Sequence, residues 1–122
     1  MADGARPDNV VPLPSGGATR RAPMADRMAA SAREAADFLK ALGHESRLLI
    51  LCHLAEGERS VSELEGLMSM RQPAVSQQLM RLRQDGYVDT RRDGKVIHYR
   101  IADPRVGEAM ALLHRLFCED GE

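Results

Sequence analysis

The chain has 122 residues, with 17 Lys and Arg against 18 Asp and Glu and a formal net charge of -1 at pH 7. That balance excludes a protein that coats nucleic acid through overall basicity, so any DNA binding must rest on a local patch. An aromatic content of 3% with no Trp argues against single-strand binders, which stack bases on aromatic platforms. No apolar run nears the ~18 residues of a membrane span, and the first residues lack the apolar core of a secretory signal. A cytoplasmic protein is expected, and its two distant cysteines, Cys52 and Cys118, do not form a disulfide framework by default in a reducing compartment.

Residues 1–23 hold Pro7, Pro12, Pro14 and Pro23 with Gly4, Gly16 and Gly17, and show no apolar periodicity. They read as a disordered tail ahead of one domain over residues 24–120. Across residues 24–42, Met24, Met28, Ala35, Leu39 and Leu42 recur at helical spacing, which predicts an amphipathic helix ended by Gly43. A second helix, about residues 46–55, is apolar on most of its circumference and should run through the core.

Ser60-Val61-Ser62-Glu63 has the spacing of a capping box, in which Ser and Glu each bond the other's backbone amide. It opens a short helix over about residues 61–68. A further helix over about residues 72–85 has Pro73 in its first turn and Gly86 as its C-cap. Beyond it, residues 87–92 and 95–101 alternate like strands, with Asp93-Gly94 between them as a two-residue turn of type I′. Asp103-Pro104 then starts a last helix over about residues 104–118.

The predicted fold is mainly α with a two-stranded β-wing, in the order ααααββα of a winged helix-turn-helix. On the helix from residue 72, Val75, Leu79 and Leu82 should anchor to the core. Pro73, Gln77, Arg81 and Gln84 fall on the opposite side, with Ser76 at its edge. Gln72, Ser76, Gln77, Gln78 and Arg81 form the candidate DNA-reading set on this helix, since amides, hydroxyls and guanidinium groups can read base edges or bind phosphate. Residues 71–100 hold seven cations against three anions. Arg91, Arg92 and Lys95 cluster beside the hairpin tip, where a wing could reach phosphates.

Three segments carry a family resemblance. Leu42-Gly43-His44-Glu45-Ser46-Arg47-Leu48-Leu49-Ile50-Leu51 resembles the opening signature of ArsR/SmtB-family repressors. Arg71-Gln72-Pro73-Ala74-Val75-Ser76-Gln77-Gln78-Leu79 resembles their recognition helix, and Gly86-Tyr87-Val88 with Arg91-Arg92-Asp93-Gly94-Lys95 and Tyr99 resembles their wing. Arg71 departs from the Ser or Thr often found there, and Arg cannot accept a capping hydrogen bond. The resemblance implies a repressor that binds double-stranded operator DNA as a homodimer built by its first and last helices. Here those helices carry Met24, Met28, Leu39, Val106, Met110, Leu113 and Phe117.

Within the family, members differ in what releases them. The stretch from Ser60 to Leu67, where many hold a Cys-x-Cys metal motif, has neither Cys nor His. A second family site begins with an Asp and a His at the start of the last helix. Here Asp103 is followed two residues later by Arg105, which cannot ligate a metal, and His114 is followed three residues later by Phe117. No metal and no cofactor is therefore expected. The pair Cys52 and Cys118 resembles that of the persulfide-sensing SqrR and BigR type. In that group persulfides join two thiols by a polysulfide link, operator binding weakens, and genes for sulfide oxidation are released. His53 and His114 could stabilise a thiolate. The bland alternative is a small hydrophobe at Cys52 and an incidental Cys118.

Two other readings stay open. One is a metal-sensing repressor with a site drawn from Cys52, His53, His114 and Cys118, suited to a thiophilic ion. The other is a winged-helix interaction module that does not bind DNA. An enzyme is not expected: there is no Cys-x-x-Cys, no Gly-rich phosphate loop and no recognisable carboxylate pair.

Overall fold

A computed structural model describes residues 23–118. The tail expected over residues 1–23 lies outside the described residues apart from Pro23, as do residues 119 and 120 of the expected domain. The chain divides after Ala36 into two compact units. In the first, helix α1 (Met24–Met28) buries none of its residues. The single helix expected over residues 24–42 is in fact broken, and α2 begins afresh at Ala32 and runs to Leu42. At the break the Ser31 amide donates to Met28 O, three residues back, at 2.9 Å.

From Asp37 onward the chain builds one core. Helix α3 (Glu45–Glu56) starts where His44 Nδ1 accepts from the Ser46 amide. It buries Ile50, Leu51 and Leu54. Strand β1 (Arg59–Ser60) leads into α4 (Val61–Met68), and α5 spans Gln72–Gln84. The hairpin of β2 (Val88–Asp93) and β3 (Val96–Ile101) precedes α6 (Pro104–Phe117). Burial centres on Leu64, Val75, Leu79, Leu82 and Val106 with the α3 residues, all well shielded from solvent. Phe38 closes one edge, set edge-on to the Tyr87 ring at 5.4 Å.

The wing carries one more strand than expected. The sheet is three-stranded and antiparallel in the order β1-β3-β2, with Arg59 opposite Tyr99 and Ser60 opposite His98. Two residues carry no alternation to read, and Ser60 also serves as the cap of α4. The hairpin turn is also shifted by one residue. Asp93 pairs with Val96, which makes Gly94-Lys95 the loop. Gly94 has φ 64 while Lys95 is not among the positive-φ residues, so the turn cannot be type I′, which needs positive φ at both positions.

Candidate nucleic-acid interface and thiol pair

The helix-turn-helix is set by its ends. Ser60 Oγ accepts from the Glu63 amide at 3.1 Å, and Glu63 Oε1 accepts from the Ser60 amide at 2.8 Å. These bonds hold the Glu63 carboxyl below its usual range, the Ser60 amide being the largest cause. Ser69, at φ 54, ends α4 in the left-handed region. Arg71 gives α5 no side-chain cap, as its chemistry requires. At the far end, the amides of Gly86 and Tyr87 donate to Arg83 O and Leu82 O, both at 3.0 Å, around Gly86 at φ 82. This is a Schellman closure, and Gly takes the positive φ without strain.

Val75, Leu79 and Leu82 hold α5 to the core. Gln72, Pro73, Gln77, Arg81 and Gln84 are exposed, and Ser76 is half-buried. Arg81 Nε lies 3.6 Å from Asp85 Oδ2. Gln78 differs from the rest of the candidate set: its Oε1 accepts from Arg47 Nη1 at 3.1 Å. Arg47 also donates from Nε to Ala41 O at 2.8 Å. Through Arg47, Gln78 joins α5 to the end of α2 by its carbonyl oxygen. Sequence reading missed Met80, which is 57% exposed and falls between Pro73, Ser76 and Gln77 in helical projection. An apolar side chain there can meet a thymine methyl. Its hydrophobicity hid it, because apolar helix positions are read as core.

On the hairpin, Arg92 and Lys95 are exposed. Arg91 is engaged by Glu58, a residue not singled out from the sequence, with Nη2 2.8 Å from Oε1. Arg100 Nη1 lies 3.6 Å from Glu58 Oε2, and its Nη2 lies 3.4 Å from Asp89 Oδ2. The hydrogen bond from Arg91 is the main reason that the Glu58 carboxyl sits below its usual range.

The residues expected at a dimer interface divide. Val106 is 0% exposed and Met110 is also buried. Both belong to the core of their own protomer, which corrects their assignment to an interface. Their spacing along α6 gave an apolar stripe but not which edge of it faces inward. Leu113 is half-buried against the core. Met24, Met28 and Leu39 are exposed, and Phe117 is 77% exposed beside exposed Leu112 and Leu116.

Both cysteines are free and exposed. Cys52 is on α3 and Cys118 caps the end of α6, and these two helices pack together. The Cys52 sulfur rests 3.8 Å from Met110 Sδ. Burial around that sulfur pushes its thiol up, and the charges of Cys118 and Glu56 push the same way. The Asp103 position of the family's metal site is taken by an ion pair, with Arg105 Nη2 2.7 Å from Asp103 Oδ2. Among the described residues, no group of three or more His, Cys, Asp or Glu is placed to hold a metal ion. None of the helices described is long and apolar enough to cross a membrane.

A polar-faced helix after a tight turn, followed by a cationic hairpin, defines a winged helix-turn-helix fold. Residues 44–90 match the model described as bacterial regulatory protein, arsR family. The chain is 47% identical over 91 residues to the biofilm growth-associated repressor of Agrobacterium fabrum, covering 75% of this chain and 78% of that protein. The structure of the transcriptional repressor BigR from Xylella fastidiosa superposes with a TM-score of 0.74 at 42% identity, covering 79% of this chain and 98% of that one. A homodimeric winged helix-turn-helix DNA-binding domain from Mycobacterium bovis superposes with a TM-score of 0.65 at 37% identity, over 75% and 84% of the two chains. The protein belongs to the arsR family of bacterial regulators.

Proposed function

We propose that the protein is a cytoplasmic repressor that binds operator DNA as a homodimer and lets go when Cys52 and Cys118 react with persulfide. The observation that carries the sulfur part is that the helix bearing Cys52 packs against the helix that Cys118 caps, with both thiols free and exposed. The DNA part rests on the outward face of α5, where Gln72, Ser76, Gln77 and Arg81 read bases, and on Arg91, Arg92 and Lys95 of the wing at phosphates. The exposed apolar residues at the end of α6, Phe117 above all, suit a surface that a second copy covers. Met24, Met28 and Leu39 are exposed as well and belong to the same proposal through the first helices.

The chemistry balances without an outside oxidant. Each thiolate attacks the outer sulfur of a persulfide R–S–S–H, and the carrier leaves as RSH. One protein persulfide then attacks the inner sulfur of the other. Hydrogen sulfide is expelled and the two cysteines are left joined through three sulfurs. Drawing α3 and α6 together changes how the two recognition helices are spaced. A coupling of roughly 1–3 kcal/mol is enough to alter affinity substantially. The genes released would be those that dispose of sulfide.

Intact-mass measurement and operator gel shifts on reduced and persulfide-treated protein test this. The expected result is one added sulfur within a single chain, with loss of the complex. Release that persists in both Cys52→Ser and Cys118→Ser would overturn the sulfur reading, and tight cadmium or zinc binding that frees DNA would replace it with a metal switch.

A further inference from the structure

Cys52 opens onto a cavity of about 720 Å³ between the end of α3, β3 and α6, a size suited to a small organic molecule. Its walls are largely apolar, with Leu54, Ile101 and Met110 among the lining residues. The arginine at its rim, Arg100, is already paired with Glu58 and Asp89. Glu56 adds a negative charge to the lining. Glu58 and His114 complete the polar part of the lining, so acids and bases are mixed there while the larger share of the wall is apolar.

Gly107 supplies an independent sign. It lines the cavity from within α6. A Cβ at this position would meet nothing within 4 Å, and its backbone does not need a glycine. Glycine inside a helix is less favourable than alanine, so packing within the protomer does not account for it. Gly107 leaves its stretch of the α6 wall of the cavity without a side chain.

We propose that this cavity receives the carrier group of an organic persulfide R–S–S–H in which R is uncharged and apolar. The proposal rests on Cys52 as a sulfur acceptor. Cys52 gives its proton to solvent, and its thiolate attacks the outer sulfur of the donor. The new bond makes Cys52–S–S–H. The donor's S–S bond breaks, its electron pair leaves with RS⁻, and RS⁻ takes up a proton to depart as RSH. Holding R in the cavity raises the local concentration of the reacting sulfur at a thiol that burial makes sluggish.

The test follows persulfidation of Cys52 by mass spectrometry in the reduced full-length protein. Three donors are compared: benzyl persulfide, glutathione persulfide and inorganic tetrasulfide. The benzyl donor should react at least tenfold faster than the glutathione one, with a rate that saturates, while tetrasulfide stays linear in concentration. Gly107→Leu should lower the benzyl rate at least tenfold and leave the tetrasulfide rate, helix content and operator affinity unchanged, with Gly107→Ala intermediate. Equal rates for the two organic donors, or a benzyl rate without saturation, overturn the cavity proposal using the unaltered protein alone. So does a fall of both rates together in Gly107→Leu, or loss of its self-association, which would mark Gly107 as a packing residue. Failure of Cys52 to accept sulfur even from tetrasulfide is a different result and removes the acceptor reading itself.

Discussion

Arg91 Nε donates to Glu58 Oε1 at 2.9 Å, so a cation of the wing is held by an acid from the loop after α3. On the proposed function, Glu58 competes with a DNA phosphate for Arg91. Glu58→Gln removes the competing charge. The expected outcome is tighter operator binding and a log–log salt dependence steeper by about one phosphate contact, ~0.9 in slope. Fluorescence anisotropy across a salt series measures both. An unchanged slope with weaker binding would mean instead that Glu58 shapes the wing for DNA.

The outward face of α5 separates reading from positioning. Gln77→Ala should cost about 1–3 kcal/mol on the cognate operator while leaving thermal unfolding unchanged. Replacing Arg92 and Lys95 by Ala should instead weaken all sequences alike and reduce the salt slope by roughly two contacts. Competition between operator and random DNA distinguishes the two patterns.

Much of this was legible in the sequence where a local rule acts alone. The spacing of Val75, Leu79 and Leu82 reports the buried side of α5, and Ser60 with Glu63, and Gly86, mark helix ends through bonds made within a few residues. Other features are decided by partners distant in the chain. Arg59 and Ser60 become a strand because β3 offers an edge. Gln78 turns inward because Arg47, 31 residues away, donates to it. The hairpin turn shows how local evidence can mislead: Asp93-Gly94 is a favourable pair, but the cross-strand register puts Asp93 into β2 and leaves Gly94 as the first loop residue. Glu58 carries no motif at all, and its importance lies in two arginines of the wing.

The division of α6 into an inner and an outer edge predicts two kinds of defect. Met110→Ala should cost about 2–5 kcal/mol of folding stability, as a buried large-to-small change. Phe117→Ala should leave unfolding of the protomer unchanged and raise the dissociation constant of the dimer. Denaturant melts and sedimentation equilibrium separate these effects.

Cys52 should be slow to react with iodoacetamide at neutral pH. Its rate should continue to climb above the ordinary thiol range, because burial favours the neutral thiol. Cys118→Ser and Glu56→Gln should each move the profile toward lower pH without normalising it, since burial is the larger cause. A profile unmoved by either variant would contradict the charge coupling between the helices.

On the acid side, the carboxyls of Glu58, Glu63 and Asp103 are all held below their usual range by hydrogen bonds and nearby cations. Each contributes stability that is fully present above its unfolded-state range and is lost as pH falls through the lower folded-state value. Glu63→Gln keeps an acceptor for the Ser60 amide but cannot titrate. Its melting temperature should therefore fall less than that of the unaltered protein as pH drops below the carboxylate range. Ser60→Ala should cost about 1 kcal/mol at neutral pH, as the loss of a cap.

Tyr87 joins the reading helix to the wing. Its amide donates to Leu82 O at 3.0 Å, and its carbonyl accepts from the Ala102 amide at 2.9 Å, just past β3. With its ring buried in the core as well, the exit of α5 and the base of the hairpin are fastened at one residue. In the proposed complex, helix and wing would then approach DNA as a caliper whose jaws share one hinge pin. The distance along the duplex between the bases read and the phosphates gripped would be set by the protein. An operator lengthened by one base pair within a half-site would forfeit one set of contacts entirely.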